Sequence, residues 1–327
     1  NALPTQVTDD FTSRQYFQQA NQVMLTRHRH NFYEEDHHGH TDLCYGLLTG
    51  YPCCTCNLHQ GWPKLVSHLW YATDGGGLAA VVYAPCNITA RVAGGEEVTI
   101  REETSYPFED KIRLLISSKN PVSFSLHLRI PGWCSNPELK INGEKASFEV
   151  EEGMVVLDRT WQEGDLVELQ LPMKVSLNRW VENSVSVERG PLVYALKIRE
   201  EWSAVESDDI WGDFNEVRPL DPWNIGLLEA AVLDPETGFE FVTNGEEGDS
   251  DADQQEGQIY PWTLENAPVA LRTKGRIIPD WKLNREMAGP LPHSLPLKHL
   301  MDDPPREITL IPYGCSTLRI TEFPVVR

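Results

Sequence analysis

Hydrophobic and polar residues follow two different periods along the chain, and the change between them falls at the glycines of residues 75–77. Upstream of these glycines, apolar residues recur at the spacing of one helix face: Leu58, Trp62, Leu65, Val66, Leu69 and Trp70. This spacing predicts a helix over residues 57–72, in which Pro63 either lies in the first turn or kinks a longer helix. Residues 12–25, TSRQYFQQANQVML, are also predicted to be helical from their propensity.

Downstream of the glycines come seven short β-rich runs, most of which alternate between apolar and polar positions. They are GLAAVVYAP, EEVTIREE, KIRLLIS, VSFSLHLRI, GMVVLD, DLVELQLP and SVSVERGPLVYAL. Turn sequences such as NPELKINGE and QEGD separate them, and the alternation of strands with helices that builds parallel sheets is missing. The pattern predicts an antiparallel β-sandwich over residues 78–195.

The pattern loosens after residue 200, where proline and tryptophan become frequent. Residues 244–258 are an acidic run, which is typical of a solvated loop. The closing run REITLIPYGCSTLRITEFPVV predicts two strands around Tyr313 and Gly314. Six tryptophans are predicted to pack in the core, namely Trp62, Trp70, Trp133, Trp223, Trp262 and Trp281. The chain is therefore predicted to be mainly β and to divide into residues 1–75, 76–197 and 198–327.

Charge narrows the possible partners. The 327 residues include 28 Lys and Arg against 49 Asp and Glu, a formal net charge of −21. Such a chain repels phosphate backbones and anionic membrane surfaces, so neither a nucleic acid nor a membrane is an expected partner. The sequence opens NALPTQVTDD, without an initiator methionine, and is expected to be cut from inside a longer chain. The compartment therefore stays unassigned.

The cysteines are the main candidates for chemistry. There are seven, an odd number that argues against a complete disulfide framework, and three lie together in TGYPCCTCNLHQGW at Cys53, Cys54 and Cys56. Cys86, Cys134 and Cys315 are predicted to be small buried apolar residues. Three interpretations of the cluster stay open: a structural group of thiols, a zinc site that Cys44 completes with Asp42 or His40, and a reactive thiolate at a helix start.

Several motifs resemble one family of enzymes. The stretch TGYPCCTCNLHQGWPKLVSHLWYAT, with VYAPC after it, is similar to glycoside hydrolase family 127, the β-L-arabinofuranosidases and their close relatives. LRIPGWC, INGE, VERGPLVYAL, DPWNIGLL and the closing run look like the later domains of that family. The resemblance implies β-sandwich domains that follow the C-terminal helical remnant of an (α/α)₆ barrel, which residues 1–75 would supply.

The resemblance also implies a mechanism and partners. Family members are retaining enzymes that hold zinc with three cysteines and one glutamate, and a second glutamate acts as the acid/base. Carried over, Cys53 is the catalytic nucleophile and a zinc ligand, Cys54 is a zinc ligand only, and Cys56 has no role. The implied substrate is an arabinose-containing glycan, and a homodimer is one possible assembly.

The chain departs from the family pattern upstream of the thiols. Residues 1–52 contain no Glu-x-Cys motif, which in the family supplies the other two zinc ligands. The chain is therefore expected to be an incomplete part of the enzyme that is inactive by itself. The histidines from His28 to His40 are interpreted either as loop residues lining a sugar cleft or as a solvent-exposed loop. A non-catalytic β-sandwich module for carbohydrate binding or assembly is the alternative function.

Overall fold

The computed structural model describes residues 2–30, 38–243, 260–295 and 304–327. These residues form a mainly β structure, which confirms the fold class predicted from the sequence. The chain divides into two compact units, one of residues 60–174 and one of residues 1–59 together with 175–327. The division into three domains at residues 76 and 198 stays a prediction. No helix in the described residues is long and apolar enough to span a membrane.

The strands of the first half are numbered in chain order. They are β1 Arg14–Gln15, β2 Tyr45–Gly46, β3 Trp70–Ala72, β4 Leu78–Ala80, β5 Cys86–Val92, β6 Glu96–Thr104, β7 Lys111–Ser118, β8 Val122–Arg129, β9 Glu138–Ile141, β10 Glu144–Lys145, β11 Met154–Trp161 and β12 Leu166–Gln170. Two short helices lie between β2 and β3, namely α1 Cys53–Leu58 and α2 Gly61–Ser67.

The numbering continues through the second half. The strands are β13 Val175–Arg179, β14 Val185–Arg189, β15 Leu192–Leu196, β16 Glu200–Val205, β17 Phe214–Pro219, β18 Ile225–Leu228, β19 Glu240–Thr243, β20 Val269–Ile277, β21 Leu283–Asn284, β22 Met287–Ala288, β23 Arg306–Pro312 and β24 Val325–Val326. The helices are α3 Glu229–Leu233 and α4 Pro235–Gly238.

The unit of residues 60–174 is a sandwich of two sheets. One sheet has the strand order β10-β9-β12-β7-β6-β5 and the other β11-β8-β4-β3. Alternate residues of each strand face inward, as in β8, where Val122, Phe124, Leu126 and Leu128 are buried. Burying each such side chain stabilises the fold by about 1.5–3 kcal/mol. The alternation that predicts the strands therefore also supplies the core.

The unit of residues 1–59 and 175–327 contains a four-stranded sheet and an eight-stranded sheet. One has the order β1-β2-β17-β16, and the other has the order β13-β14-β15-β23-β20-β18-β24, with β19 paired to β20. Trp223 and Trp281 pack here edge to face, with ring centroids 5.2 Å apart, and both are buried as predicted. The closing run forms β23 and the short β24, with a 3-10 turn at Tyr313–Cys315 between them.

The predicted sandwich over residues 78–195 needs two corrections. Residues 175–195 form β13, β14 and part of β15, and these strands belong to the large sheet that also contains β23. The pairing of β4 with β8 is parallel, whereas the other pairings within the sandwich are antiparallel. Alternation identifies a strand, but the partner of an edge strand depends on the tertiary structure.

The helical predictions also need correction. Residues 12–25 contain β1 and irregular chain, because tertiary contacts override a weak helix propensity. Gln15 and Gln22 in this segment are buried, and their side-chain amides donate to the carbonyls of Leu43 and Thr317, both at 2.9 Å. The single helix over residues 57–72 is replaced by α1, α2 and β3, and Pro63 lies in the first turn of the short α2.

Candidate functional site

The thiol cluster lies on α1. Cys53 is the first residue of this six-residue helix, directly after Pro52, and its side chain is exposed. Cys54 is half-buried and Cys56 is exposed, and all seven cysteines of the chain are free thiols. The amide of Asn57 donates to the carbonyl of Cys53 at 2.7 Å and closes the turn. The first turn of α1 therefore presents an accessible thiol at Cys53.

A buried arginine holds this turn in place through hydrogen bonds. Arg14 is 3% exposed, and its Nε donates to the hydroxyl of Thr55 at 2.5 Å while its Nη2 donates to the carbonyl of Tyr51 at 2.9 Å. The Thr55 hydroxyl in turn donates to the carbonyl of Leu47 at 2.5 Å. Cys53 and Cys54 lie between the two residues that Arg14 binds, so the guanidinium holds both ends of the thiol-bearing turn.

The charges of Arg14 and the thiols act on one another. Burial lowers the pKa of Arg14, and the negative charge available at Cys54 and Cys53 acts in the opposite direction. Burial raises the pKa of the Cys54 thiol, as do a hydrogen bond and like charge from Cys53, while Arg14 lowers it. The sulfurs of Cys53 and Cys54 are thus close enough to interact, with one buried cation beside them.

The loop before α1 is shaped by two tyrosines and a glycine. The rings of Tyr16 and Tyr51 pack with their centroids 5.1 Å apart. Gly50 has a φ of +59°, and a Cβ at this position would lie 2.4 Å from Tyr16. Only glycine fits this backbone conformation against the tyrosine ring. The sequence TGYPCC therefore needs its glycine to bring the chain back over Tyr16 and into α1.

The histidines have a different environment. His30 is buried and within 3.2 Å of the carbonyl of Thr26, and burial lowers its pKa. The ring of His28 lies 5.7 Å from that of His30, and its Nδ1 is 3.9 Å from Glu286. Residues 31–37, His37 among them, lie outside the described residues. The interpretation of these histidines as lining a sugar cleft stays a prediction.

The thiols of Cys53 and Cys54 are candidate zinc ligands. Structural zinc takes four ligands, and a catalytic zinc takes three protein ligands and an open position. Residues 2–30, 38–243, 260–295 and 304–327 contain no group of three or more His, Cys, Asp or Glu side chains placed to hold a metal ion. Cys44, offered as a local partner, is fully buried. The described residues therefore provide two adjacent thiols but do not complete a zinc site.

Two residues that the sequence interpretation missed stand out in the structure. Arg14 gives no signal in the sequence, because a lone arginine in a polar stretch is usually at the surface. Glu102 does give a signal in the sequence, because it is a charged residue at an inward position of the alternating strand β6. It is 2% exposed and accepts hydrogen bonds from Trp70 Nε1 at 2.9 Å and from the amide of Ala84 at 3.0 Å.

Comparison with known families identifies one part of the chain. Residues 77–173 match the family model described as the β-L-arabinofuranosidase GH127 middle domain. This match covers most of the sandwich unit and confirms, over these residues, the family resemblance seen in the sequence motifs. A search of curated proteins returns no match to the chain.

Solved structures share the fold of the whole chain. A GH127 β-L-arabinofuranosidase from Geobacillus stearothermophilus T6 aligns with a TM-score of 0.64 and 20% identity, over 98% of this chain and 44% of that one. A glycoside hydrolase aligns at 0.63 and 20% identity over 100% and 47%, and a GH127 β-arabinofuranosidase at 0.65 and 17% over 99% and 44%. The chain therefore spans less than half the length of each of these proteins.

Proposed function

We propose that this chain, whose residues 77–173 are a middle domain of glycoside hydrolase family 127, is part of a retaining glycosidase that releases β-L-arabinofuranose or a related sugar from plant-type glycans. The observation that carries the proposal is the combination of this domain with an exposed free thiol at Cys53, at the start of α1. A glycosidase needs a nucleophile that reaches the anomeric carbon, and an exposed thiol on a fixed turn meets this requirement.

In the proposed reaction, the deprotonated sulfur of Cys53, a thiolate, attacks the anomeric carbon of the sugar. A carbon–sulfur bond forms, the glycosidic carbon–oxygen bond breaks, and the leaving oxygen takes a proton from the acid/base group. Water then attacks the same carbon, the thiolate leaves, and the acid/base group takes the proton of the water. Two displacements at one carbon retain its configuration.

The positioning in this reaction falls to residues of the unit that contains residues 1–59. Arg14 holds the turn through Thr55 and Tyr51, and the contact of half-buried Tyr16 with buried Gly50 sets the approach of the chain to Cys53. A nucleophile held on a fixed turn loses less conformational freedom in the transition state than one on a mobile loop. This preorganisation supports a catalytic role for the thiol.

We also propose that Cys53 and Cys54 are two of the four ligands of a zinc ion in the complete enzyme. Their adjacent, interacting sulfurs support this, because thiolates are preferred zinc ligands. The remaining two ligands and the acid/base glutamate are not assigned among the described residues. For this reason, residues 1–327 by themselves are proposed to be inactive, with an arabinose-containing glycan as the substrate of the complete protein.

The experiment that tests the proposal compares two cysteines of one helix in a longer gene product that contains this chain. Cys53→Ser should lower kcat by about 10³-fold or more, because serine is a poor nucleophile at neutral pH. Cys56→Ser, two positions after Cys54 and also exposed, is the matched control and should retain activity within about threefold. Equal losses from both substitutions would indicate a purely structural cluster and would contradict the nucleophile assignment.

A further inference from the structure

A cavity in the unit of residues 1–59 and 175–327 is not lined by the thiols of α1 and is not used by the proposed reaction. Its volume is about 340 Å³, at the lower end of the range of about 300–1,000 Å³ for small-molecule sites. The walls come from the N-terminal segment around Thr8, from the start of β16, from β17 and from the segments around Trp262 and Cys315. Neither Cys53 nor Cys54 lines it. We call it the Trp202 cavity.

Two indole rings form part of its wall. Trp202 is 41% exposed, and its ring packs against buried Tyr45 with the centroids 5.2 Å apart. The carboxylate of Glu200 accepts a hydrogen bond from Trp202 Nε1 at 3.0 Å and another from the amide of Leu318 at 2.8 Å. Trp202 is therefore held in one orientation while a large part of its surface stays open. Trp262, half-buried, lines the same cavity.

Polar groups complete the lining. Asn215, Asp9 and Glu265 line the cavity, and their side chains have no hydrogen bond or ion pair with another residue of the described chain. Asn215 is half-buried, whereas the two carboxylates are exposed. An amide both donates and accepts, and a carboxylate only accepts, so the three groups together can bind hydroxyls.

The charge of the lining restricts the ligand. Asp9, Asp10, Glu200 and Glu265 line the cavity, and its recorded lining contains no lysine, arginine or histidine. Arg319 acts on the charge of Glu200, and Lys197 acts on Cys315, but neither cation lines the cavity. The exposed carboxylates of Asp9, Asp10 and Glu265 disfavour phosphates, sulfates and acidic sugars. A metal ion is also disfavoured, because the described residues contain no group of three ligands placed for one. A neutral ligand rich in hydroxyl groups fits both restrictions.

We propose that the Trp202 cavity, which neither Cys53 nor Cys54 lines, is a binding site for neutral sugar rings of a glycan. A sugar ring has an apolar face of C–H groups and an edge of hydroxyls. The indole surfaces of Trp202 and Trp262 match the face, and Asn215, Asp9 and Glu265 match the edge. A volume of about 340 Å³ accommodates one or two such rings.

The site is inferred from the cavity, whereas the choice of arabinose as the first probe rests on the proposed function. The test therefore titrates the purified chain of 327 residues with two neutral probes, arabinotriose and cellotriose, by isothermal titration calorimetry. Trigalacturonate, an acidic trisaccharide of similar size, is the third probe. The site predicts saturable binding of at least one neutral probe with one ligand per chain, and no binding of the acidic one.

Substitutions in the lining locate the bound sugar. Trp202→Ala should weaken binding at least about tenfold, because aromatic anchors carry a large share of binding energy. Asn215→Ala and Glu265→Gln, which change exposed or half-buried groups with little risk to folding, should weaken it several-fold. The matched control is Trp180→Ala, which removes an indole that is 55% exposed outside this cavity and should leave the Kd within twofold.

Three results would overturn the proposal. These are no binding of either neutral probe, binding that Asn215→Ala and Glu265→Gln both leave unchanged, and binding that is lost in Cys53→Ser. Binding of cellotriose without arabinotriose would support the cavity while counting against arabinose as the substrate sugar. Failure of this site is therefore distinguishable from failure of the proposed hydrolase function.

Discussion

At the residue scale, Arg14 shows how the structure depends on a buried cation. A guanidinium that is 3% exposed costs free energy unless its donors are satisfied. Thr55 and the carbonyl of Tyr51 satisfy two of its nitrogens, while Nη1 has no hydrogen-bond acceptor within the described residues. The burial of the arginine and the conformation of the thiol-bearing turn therefore depend on each other. This dependence cannot be predicted from the sequence.

The buried carboxyl group of Glu102 makes the free energy of unfolding depend on pH. Burial raises its pKa to about 7, against hydrogen bonds from Trp70, Ala84 and Cys86 that act in the opposite direction. The folded state thus binds the proton more tightly than the unfolded state does. The stabilising contribution of the protonated carboxyl is complete below the unfolded pKa of about 4.5 and is lost as the pH rises through about 7.

The prediction concerns Glu102→Gln, which keeps an oxygen acceptor but cannot titrate. Between about pH 5 and about pH 8, the free energy of unfolding of the unsubstituted protein should fall relative to that of the variant, by at most about 3 kcal/mol. Urea unfolding across this pH range measures the difference. Glu97→Gln, which changes an exposed carboxylate of the same strand, should leave the pH dependence as it was. Parallel curves for both variants would contradict the account.

At the element scale, many strands were predictable, whereas the bounds of the helices were not. Each of the seven runs contains a strand, because alternation of buried and exposed positions, which most of them show, favours β structure directly, but β5 and β20 lie outside these runs. Short polar strands such as β1 and β10 have no such alternation to reveal them. The residues of the candidate site also differ in how far the sequence reveals them. Cys53 is evident as a motif, whereas Arg14 contributes only through its position in the folded chain.

Helix α2 has an apolar surface that its own unit does not cover. None of its residues is buried, and Leu65 and Val66 are 40% and 64% exposed. Leu69, three residues beyond Val66, is 6% exposed, so the predicted apolar face is only partly packed. Exposed apolar neighbours on one helix favour self-association.

The paired substitution Leu65→Gln and Val66→Gln should therefore reduce aggregation of the chain while leaving its thermal midpoint within about 2 °C, because surface substitutions rarely change stability. Size-exclusion chromatography with light scattering, at increasing protein concentration, measures the aggregated fraction. Val156→Gln is the control, since Val156 is 46% exposed on a strand of the sandwich. An aggregated fraction that the paired substitution leaves unchanged would show that α2 does not drive association.

At the scale of the whole molecule, the chain combines a complete sandwich unit with a site that its described residues do not complete. It spans less than half the length of the similar solved structures, at 17–20% identity. The thiols of Cys53 and Cys54 give two potential ligands, and no third is placed beside them in the described parts of the chain. The proposed nucleophile and two proposed zinc ligands therefore lie in this chain, whereas the remaining zinc ligands and the acid/base group are not assigned among its described residues.

The most direct test of this assignment is to assay purified residues 1–327 on a nitrophenyl arabinofuranoside while measuring bound zinc by elemental analysis. The similar GH127 β-L-arabinofuranosidase from Geobacillus stearothermophilus T6 is the positive control. We expect turnover and one zinc per chain in that enzyme, and neither in residues 1–327, because affinity falls when ligands are missing and proton transfer alone contributes about 10²–10⁴-fold. Turnover by residues 1–327 at the rate of the control enzyme, with one tightly bound zinc, would contradict the proposal.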